Sequence, residues 1–253
     1  MWEDREALAP LSLHDRERIL DVGCGTGELT RVLGEESSAT VVGADADREL
    51  LAHVDADGRI QADATRLPVR DDAFDLVTCQ ALLINLPDPV VAAREFSRAS
   101  SDFVAAIEPD NSEVRVESTV SDEASLAESA RRTYIEGVET DVTLGQSAAA
   151  VFEDAGLTDV VTRRHEHVRT VEPPYSRAEL EDAQRKATAS RLADQRPTLE
   201  AGGMTGREYD RLRSAWREMG RAAVAQMQDE SYRRRAVIPF YVTVGRVPES
   251  SET

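Results

Sequence analysis

Residues 21–27 read Asp-Val-Gly-Cys-Gly-Thr-Gly ("DVGCGTG"), preceded by the apolar pair Ile19-Leu20 and followed by "ELTRVL", residues 28–33. A strand that ends in so much glycine can begin three kinds of site: a P-loop, a dinucleotide site or an S-adenosylmethionine site. A P-loop needs a lysine and a hydroxyl straight after its last glycine, to reach terminal phosphates and magnesium. Here Gly27 is followed by Glu28 and Leu29, and an acid in that place repels phosphate. The dinucleotide fingerprint G-x-G-x-x-G packs helix on strand and faces the helix N-terminus toward a pyrophosphate. Gly23-x-Gly25-x-Gly27 is one residue short of it. Asp21 says more, because a carboxylate at the end of the strand suits a ligand with an ammonium group better than a pyrophosphate.

Downstream segments add independent signals. "ATVVGADADREL" reads as a buried strand, Thr40 to Ala44, ending at Asp45, 22 residues after Gly23. A carboxylate at the tip of a second strand can accept hydrogen bonds from both hydroxyls of a ribose, which fits NAD and S-adenosylmethionine equally. In "IQADATRLPVRDDAFDLVTCQ" a short third strand is expected to end at Asp63-Ala64, and a fourth to run through Phe74–Val77 and end near Gln80. Asp63 can accept from an adenine amino group while the Ala64 amide donates to the ring.

In order and spacing these segments resemble the class I S-adenosylmethionine-dependent methyltransferases. "ILDVGCGTG" matches the family's first motif, Asp45 in "VVGAD" its ribose acid, "ADATRLP" its adenine segment and "FDLVTCQALLINLPDP" its fourth strand. Residues 15–108 are covered well, and "TLGQSAAAVFEDAGLTDV" and "FYVTVGRV" more loosely. The resemblance implies an α/β, Rossmann-like fold: a seven-stranded, mostly parallel sheet of order 3-2-1-4-5-7-6 with helices on both faces. It also implies S-adenosyl-L-methionine as cofactor. Gly23, Cys24, Gly25 and Gly27 would then approach its methionine part, and Asp21 its ammonium, directly or through water. Asp45 would take the ribose hydroxyls, Asp63 and Ala64 the adenine, Cys79 and Gln80 would supply backbone near the methyl, and Ala46 would also border the cofactor. Arg5 is assigned to the cofactor carboxylate from the need for a nearby cation.

Composition bounds the remainder. At 253 residues with 41% hydrophobic residues, the chain can bury one sizeable α/β core with an appended cap. No run of about 18 apolar residues and no charged-then-apolar leader is present, so neither a membrane span nor a secretory signal is supported, and a cytoplasmic location is expected. Two cysteines, Cys24 and Cys79, in unrelated segments indicate neither a disulfide framework nor a metal site. The net charge is −18, from 30 basic and 48 acidic residues, and Lys186 is the one lysine. An acid-rich, lysine-poor surface resembles proteins of halophilic organisms, in which high ionic strength screens self-repulsion. A field of this sign argues against long nucleic acid as a partner, whose phosphates need neutralising by Lys and Arg.

Further elements follow from local signals. Asp88 is a candidate N-cap with Pro89 at the first helical position. A fifth strand is expected at 102–109, a helix at about 121–137, a sixth strand in "LTDVVTRRHEHVRTV" and a last one in "IPFYVTVGRV", where Pro239 sits at the tolerant start. The first helix is expected to open near Thr26 and close before Gly34. The last two strands usually form a close antiparallel pair, yet residues 172–236 intervene. Ser176-x-x-Glu179 and Thr205-x-x-Glu208 are both capping boxes. Tyr209, Leu212, Trp216, Met219, Ala223 and Met227 recur at steps of three and four, forming one apolar face. The expectation is one methyltransferase domain, 1–253, in which 172–236 forms a helical cap-like insertion. Its stripe packs on the protein, covers an acceptor pocket or makes a homodimer contact. "EPPY", 172–175, is similar to the Asn/Asp-Pro-Pro-aromatic motif of amino-methyltransferases, but that motif belongs at the end of the fourth strand, so it reads here as a linker.

Methyl transfer from an activated sulfonium needs alignment and exclusion of water, and a base only when the acceptor must first lose a proton. His14 is therefore a candidate base only if the N-terminal segment folds over the donor, as it often does in the family. His53, His165 and His167 read as structural or surface residues. Tyr134 with Arg131 and Arg132, on the helix after the fifth strand, can orient an acidic or hydroxylated acceptor. The expected function is methyl transfer to a small-molecule acceptor. The alternatives are a methyltransferase acting on protein or RNA, and a non-catalytic protein that binds S-adenosylmethionine or S-adenosylhomocysteine.

Overall fold

The computed structural model describes residues 5–248; residues 1–4 and 249–253, at the ends of the expected domain, lie outside the described residues. Two compact units make up the chain. Among the described residues the first comprises 5–109, 144–165 and 240–248, and the second 110–143 and 166–239.

The first unit opens with 3-10 helices at Glu6–Leu11 and Leu13–Asp15, then β1 (Arg18–Val22), α1 (Glu28–Glu36), β2 (Thr40–Asp45), α2 (Arg48–Leu51), β3 (Gly58–Gln61) and β4 (Phe74–Gln80). A 3-10 helix at Leu83–Asn85 leads to α3 (Pro89–Ala99) and β5 (Ser100–Pro109). In the second unit the chain forms β6 (Arg115–Ser118) and α4 (Glu123–Gly137), and in the first again α5 (Ala148–Asp154) and the start of β7 (Thr158–Val171). The second unit then holds α6 (Arg177–Thr188), α7 (Ser190–Asp194), α8 (Arg196–Ala201) and α9 (Gly206–Gln228). The closing strand β8 (Arg234–Arg246) has its last seven residues in the first unit.

Strands β3-β2-β1-β4-β5 are parallel neighbours in that order, and β8 follows antiparallel to β5, with Ile107 opposite Val242. Four of the five β1 residues are buried, because both faces of a parallel sheet are covered. One face packs Ile19, Leu76 and Ile107 against Leu29, Val32 and Leu33 of α1 and Leu8, Leu11 and Leu13 of the N-terminal segment. The other packs Leu20, Val77 and Val104 against Ala93 and Phe96 of α3 and Phe152 of α5. Helix starts follow the expected chemistry. Asp88 accepts from the Val90 and Val91 N–H groups with Pro89 behind it, and Asp47 accepts from Glu49 and Leu50.

The sheet differs from the expectation in having eight strands among the described residues, not seven. The expected final pair 7-6 corresponds to β8 and β7, and β6 is the addition, pairing antiparallel with Arg234–Val237 of β8. Four residues alternating exposed and half-buried give too short a period-two signal to stand out in a sequence. Two boundaries also differ. Strand β3 ends at Gln61, because the Asp63 carboxylate accepts from the Thr65 N–H and hydroxyl and turns the chain. Helix α1 begins at Glu28, after the left-handed Gly27, and runs through Gly34 to Glu36.

The second unit has its own apolar centres. Met219, Ala223 and Met227 of α9 pack with Ala183 of α6, Val120 and Tyr232; Tyr209 and Leu212 pack with Ala130, Leu192 and Leu199. Both capping boxes form, at Ser176/Glu179 and Thr205/Glu208. Where two helices were signalled in 172–236, four form, since Ala189 turns left-handed between α6 and α7 and Pro197 opens α8. Helices α6 and α9 approach at Gly220, where a Cβ would lie 2.3 Å from the Ala187 nitrogen. Glu123, 2% exposed, is the polar hub: it accepts from Lys186 Nζ (2.8 Å), Arg234 Nε (3.1 Å), the Ser118 hydroxyl (2.6 Å) and the Tyr232 hydroxyl (2.7 Å). The "EPPY" segment is tied down within this unit, as the Tyr175 hydroxyl donates to the Tyr232 carbonyl at 2.9 Å.

Candidate functional site

The glycine turn lies at the carboxyl ends of the parallel strands, the edge at which open α/β sheets take ligands. The Gly23 and Cys24 N–H groups both donate to the Ala44 carbonyl at the end of β2, at 2.7 and 3.0 Å, which folds the turn onto the neighbouring strand. The Gly25 N–H donates to Asp45 Oδ2 at 2.8 Å, and Asp45 Oδ1 accepts from Asp47 at 2.8 Å. Asp45 therefore organises the turn as well as standing at a strand tip. Gly25 has φ +56°, and a side chain built there would meet nothing within 4 Å, so its backbone borders open space.

Asp21 lies beneath this turn, 1% exposed. Its Oδ2 accepts from the Thr30 hydroxyl at 2.6 Å, while Oδ1 is buried with no partner among the described residues. Burial pushes its pKa up to about 7; the Thr30 hydrogen bonds oppose this and the Asp45 charge adds to it. An orphan carboxylate oxygen here fits a cationic or donor group on a ligand, because an unpaired buried acceptor is costly to keep.

A second buried carboxylate lies at the end of β5. Glu108 is fully buried, and its Oε1 accepts from the Leu82 and Leu83 N–H groups at 3.1 and 2.9 Å. Its Oε2 accepts from the Ile84 N–H at 3.4 Å. Burial raises its pKa to about 7 against the pull of those donors. The Cys79 thiol lies 3.7 Å from Glu108 Oε1 and is held well above the ordinary thiol range by burial and by that carboxylate. Cys24 is likewise a thiol, pushed up to about 12 by burial and by Asp21 and Asp45. Neither cysteine is a ready nucleophile.

The structure gathers Asp21, Gly23, Cys24, Gly25, Gly27, Asp45, Cys79 and Gln80 at the ends of β1, β2 and β4. Ala46 follows Asp45 and accepts from Gln61 Nε2; Asp63 is exposed and Ala64 buried. The Asp63 pKa is lowered by the Thr65 hydroxyl and N–H.

Two of the expected residues are placed away from the glycine turn. Arg5 donates to Glu35 at 2.7 Å and lies 3.5 Å from Glu36, in the last turn of α1. That is about 12 Å along the helix from the glycine turn. His14 is exposed, pairs with Asp15 at 3.2 Å and precedes β1, whereas the glycine turn follows β1, about 13 Å along the strand. The N-terminal segment packs its leucines on α1 and β1, and His14 is not placed as a base at the turn. Tyr134 and Arg132 both lie on α4 in the second unit, Tyr134 against the Ala130–Tyr209 cluster and Arg132 exposed. Sequence reading missed Thr30, Leu82 and Glu108. Only Glu108 left a signal, an acid closing the otherwise apolar "FVAAI" run.

Comparison with known proteins fits this geometry. Residues 20–101 match a methyltransferase domain. Curated relatives include the methyltransferase GfsG of Streptomyces halstedii, 32% identical over 38% of this chain and 44% of the relative. Demethylmenaquinone methyltransferase of Staphylococcus aureus is 32% identical over 39% of this chain and 44% of that protein. The chain thus spans under half the length of these curated relatives. A candidate methyltransferase from Bacillus halodurans shares the fold at TM-score 0.55, covering 96% of this chain and 97% of its own, with 14% identity. The Rossmann-like methyltransferase fold is therefore established, and among the described residues no helix is long and apolar enough to cross a membrane.

Proposed function

We propose that the protein is an S-adenosylmethionine-dependent methyltransferase that alkylates a small-molecule acceptor by in-line displacement. The observation that carries the reading is the buried, unpartnered Asp21 oxygen beneath a glycine turn that Asp45 holds open at Gly25. When bound, S-adenosylmethionine supplies an already activated methyl group on a sulfonium, so orientation and exclusion of water are the tasks left to the protein. Asp21 takes the ammonium directly or through water, Asp45 and Ala46 the ribose, Asp63 and Ala64 the adenine, and the backbone of Cys79 and Gln80 borders the methyl. A relative named for demethylmenaquinone supports a small acceptor, and the charge of −18 opposes a polyanionic one. We also infer adaptation of this acidic surface to high salt.

The test is calorimetric titration in about molar KCl, a concentration that screens surface charge, with S-adenosylmethionine, S-adenosylhomocysteine and NAD. Micromolar binding of both sulfur ligands and none of NAD is expected. Asp45→Ala, which removes two charge-assisted hydrogen bonds of about 1.5–3 kcal/mol each, is expected to weaken binding at least about a hundredfold. Binding of NAD alone, or an unaltered Asp45→Ala, refutes the reading.

A further inference from the structure

Glu108 is an unusual investment for a fold: a carboxylate taken wholly out of water at the end of a strand whose last six residues are all buried. Among the described residues it accepts from three main-chain N–H groups and one thiol, none of them charged. The three N–H groups are consecutive, Leu82, Leu83 and Ile84, and open the short 3-10 helix after β4, where no side chain of the helix's own N-cap serves them. The carboxylate thus does for this turn what a capping residue does for a helix. The same turn is constrained around it: Ala81 is left-handed at φ +49°, its N–H donates to the Ile107 carbonyl at 3.0 Å, and Asn85 Nδ2 donates to the Ala81 carbonyl at 2.7 Å.

The purpose of so firm a hold appears on the other side of the turn. The Leu82 side chain lies against Gly23, so closely that a Cβ on Gly23 would come within 2.8 Å of Leu82 Cδ1. Glu108 at the end of β5, Leu82 after β4 and Gly23 after β1 therefore form one contact chain across three strand ends. We propose that Glu108 is a positioning residue for donor binding: it fixes the 82–84 turn so that Leu82 braces the glycine turn at Gly23. The inference rests on the function proposed above and adds a residue with no contact to the ligand, acting through Leu82.

The experiment is a double-mutant cycle on the full chain, with S-adenosylhomocysteine affinity by calorimetry as the readout and amide NMR spectra of the ligand-free proteins alongside. Glu108→Gln keeps the shape, but only one of its two terminal atoms accepts, so at least one of the three N–H groups loses its partner. Leu82→Ala removes the brace and leaves Glu108 in place, and it decides the question if Glu108→Gln does not fold. Each single variant is expected to weaken binding about ten- to hundredfold by misplacing the turn, and the double variant no more than the worse single one. The Gly23 amide resonance should shift in Glu108→Gln together with those of residues 82–84. Additive losses, or unchanged affinity in either folded single variant, overturn the inference while leaving the parent reading intact. A wild-type protein that binds no sulfur ligand overturns both.

Discussion

Comparing Asp21→Asn with the wild type across pH isolates the titration of the carboxylate beneath the glycine turn. An aspartate titrates near 3.8 when solvated, and burial raises Asp21 to about 7. At about 1.4 kcal/mol per pH unit, that interval corresponds to about 4 kcal/mol for ionising the group inside the ligand-free protein. The sign follows from proton counting: between about pH 4 and pH 7 the folded state holds a proton that the unfolded chain has released, so this group's contribution to stability falls as pH rises through that window. Ligand-free Asp21→Asn should therefore be more heat-stable than wild type near pH 8 and lose that advantage toward pH 4. Binding of an ammonium group stabilises the ionised form, so below pH 7 the proton must leave on binding, and wild-type affinity should fall about tenfold per pH unit. The assay is calorimetric titration with S-adenosylhomocysteine at about pH 5, 6, 7 and 8, each in two buffers of different ionisation enthalpy to count released protons. Asp21→Asn should bind more weakly at neutral pH and show a flat profile. Wild-type affinity constant within about threefold over this range, where linkage requires about a hundredfold, refutes the reasoning. A slope that persists in Asp21→Asn moves the titration to another group, such as Glu108, whose pKa also lies at about 7.

Three further outcomes concern the scaffold. Gly220→Ala places a Cβ 2.3 Å from the Ala187 nitrogen and 2.4 Å from the Lys186 carbonyl carbon, so α6 and α9 must separate. The expected loss is about 3 kcal/mol or more by denaturant unfolding, and a wild-type midpoint would contradict the close approach. Burial alone would raise the Glu123 pKa, but Lys186, Ser118 and Tyr232 outweigh it and lower it below 4.5, so its contribution to stability is present above pH 4.5 and lost as pH falls through the folded value. Glu123→Gln leaves Lys186 and Arg234 facing a neutral group and should cost about 3–5 kcal/mol near neutral pH; a loss under about 1 kcal/mol would show that the hub is not held by charge. Melting temperature should rise steeply between about 0.1 and about 1 M KCl as screening relieves the self-repulsion of a net charge of −18, and a flat salt response removes the halophilic reading.

How much was legible divides along the range of the interactions involved. The sequence by itself determined the parallel strand set and its helices, because Ile19–Val22, Val41–Ala44 and Leu76–Cys79 are apolar runs closed by glycine, aspartate or a polar turn, and these are local signals. It also determined the helix starts at Asp88, Ser176 and Thr205, where the capping side chain and the N–H it serves lie within three residues of each other. It placed Asp21, the glycines and Asp45 at one sheet edge, since alternate strands and helices bring every strand's carboxyl end to the same side. Only the tertiary structure decided the rest. Arg5 is assigned by need, but its partners Glu35 and Glu36 lie 30 and 31 residues away and at the far end of α1 from the glycine turn, a pairing no periodicity encodes. His14 depended on where the N-terminal segment packs, and three leucines carried it to α1 and β1. Glu108 reads in the sequence as one acid after an apolar strand; its meeting with the 82–84 turn and, through Leu82, with Gly23 arises from strands brought side by side. A backbone N–H carries no residue-type signature, so a carboxylate serving a turn far away in sequence is invisible until the chain is folded.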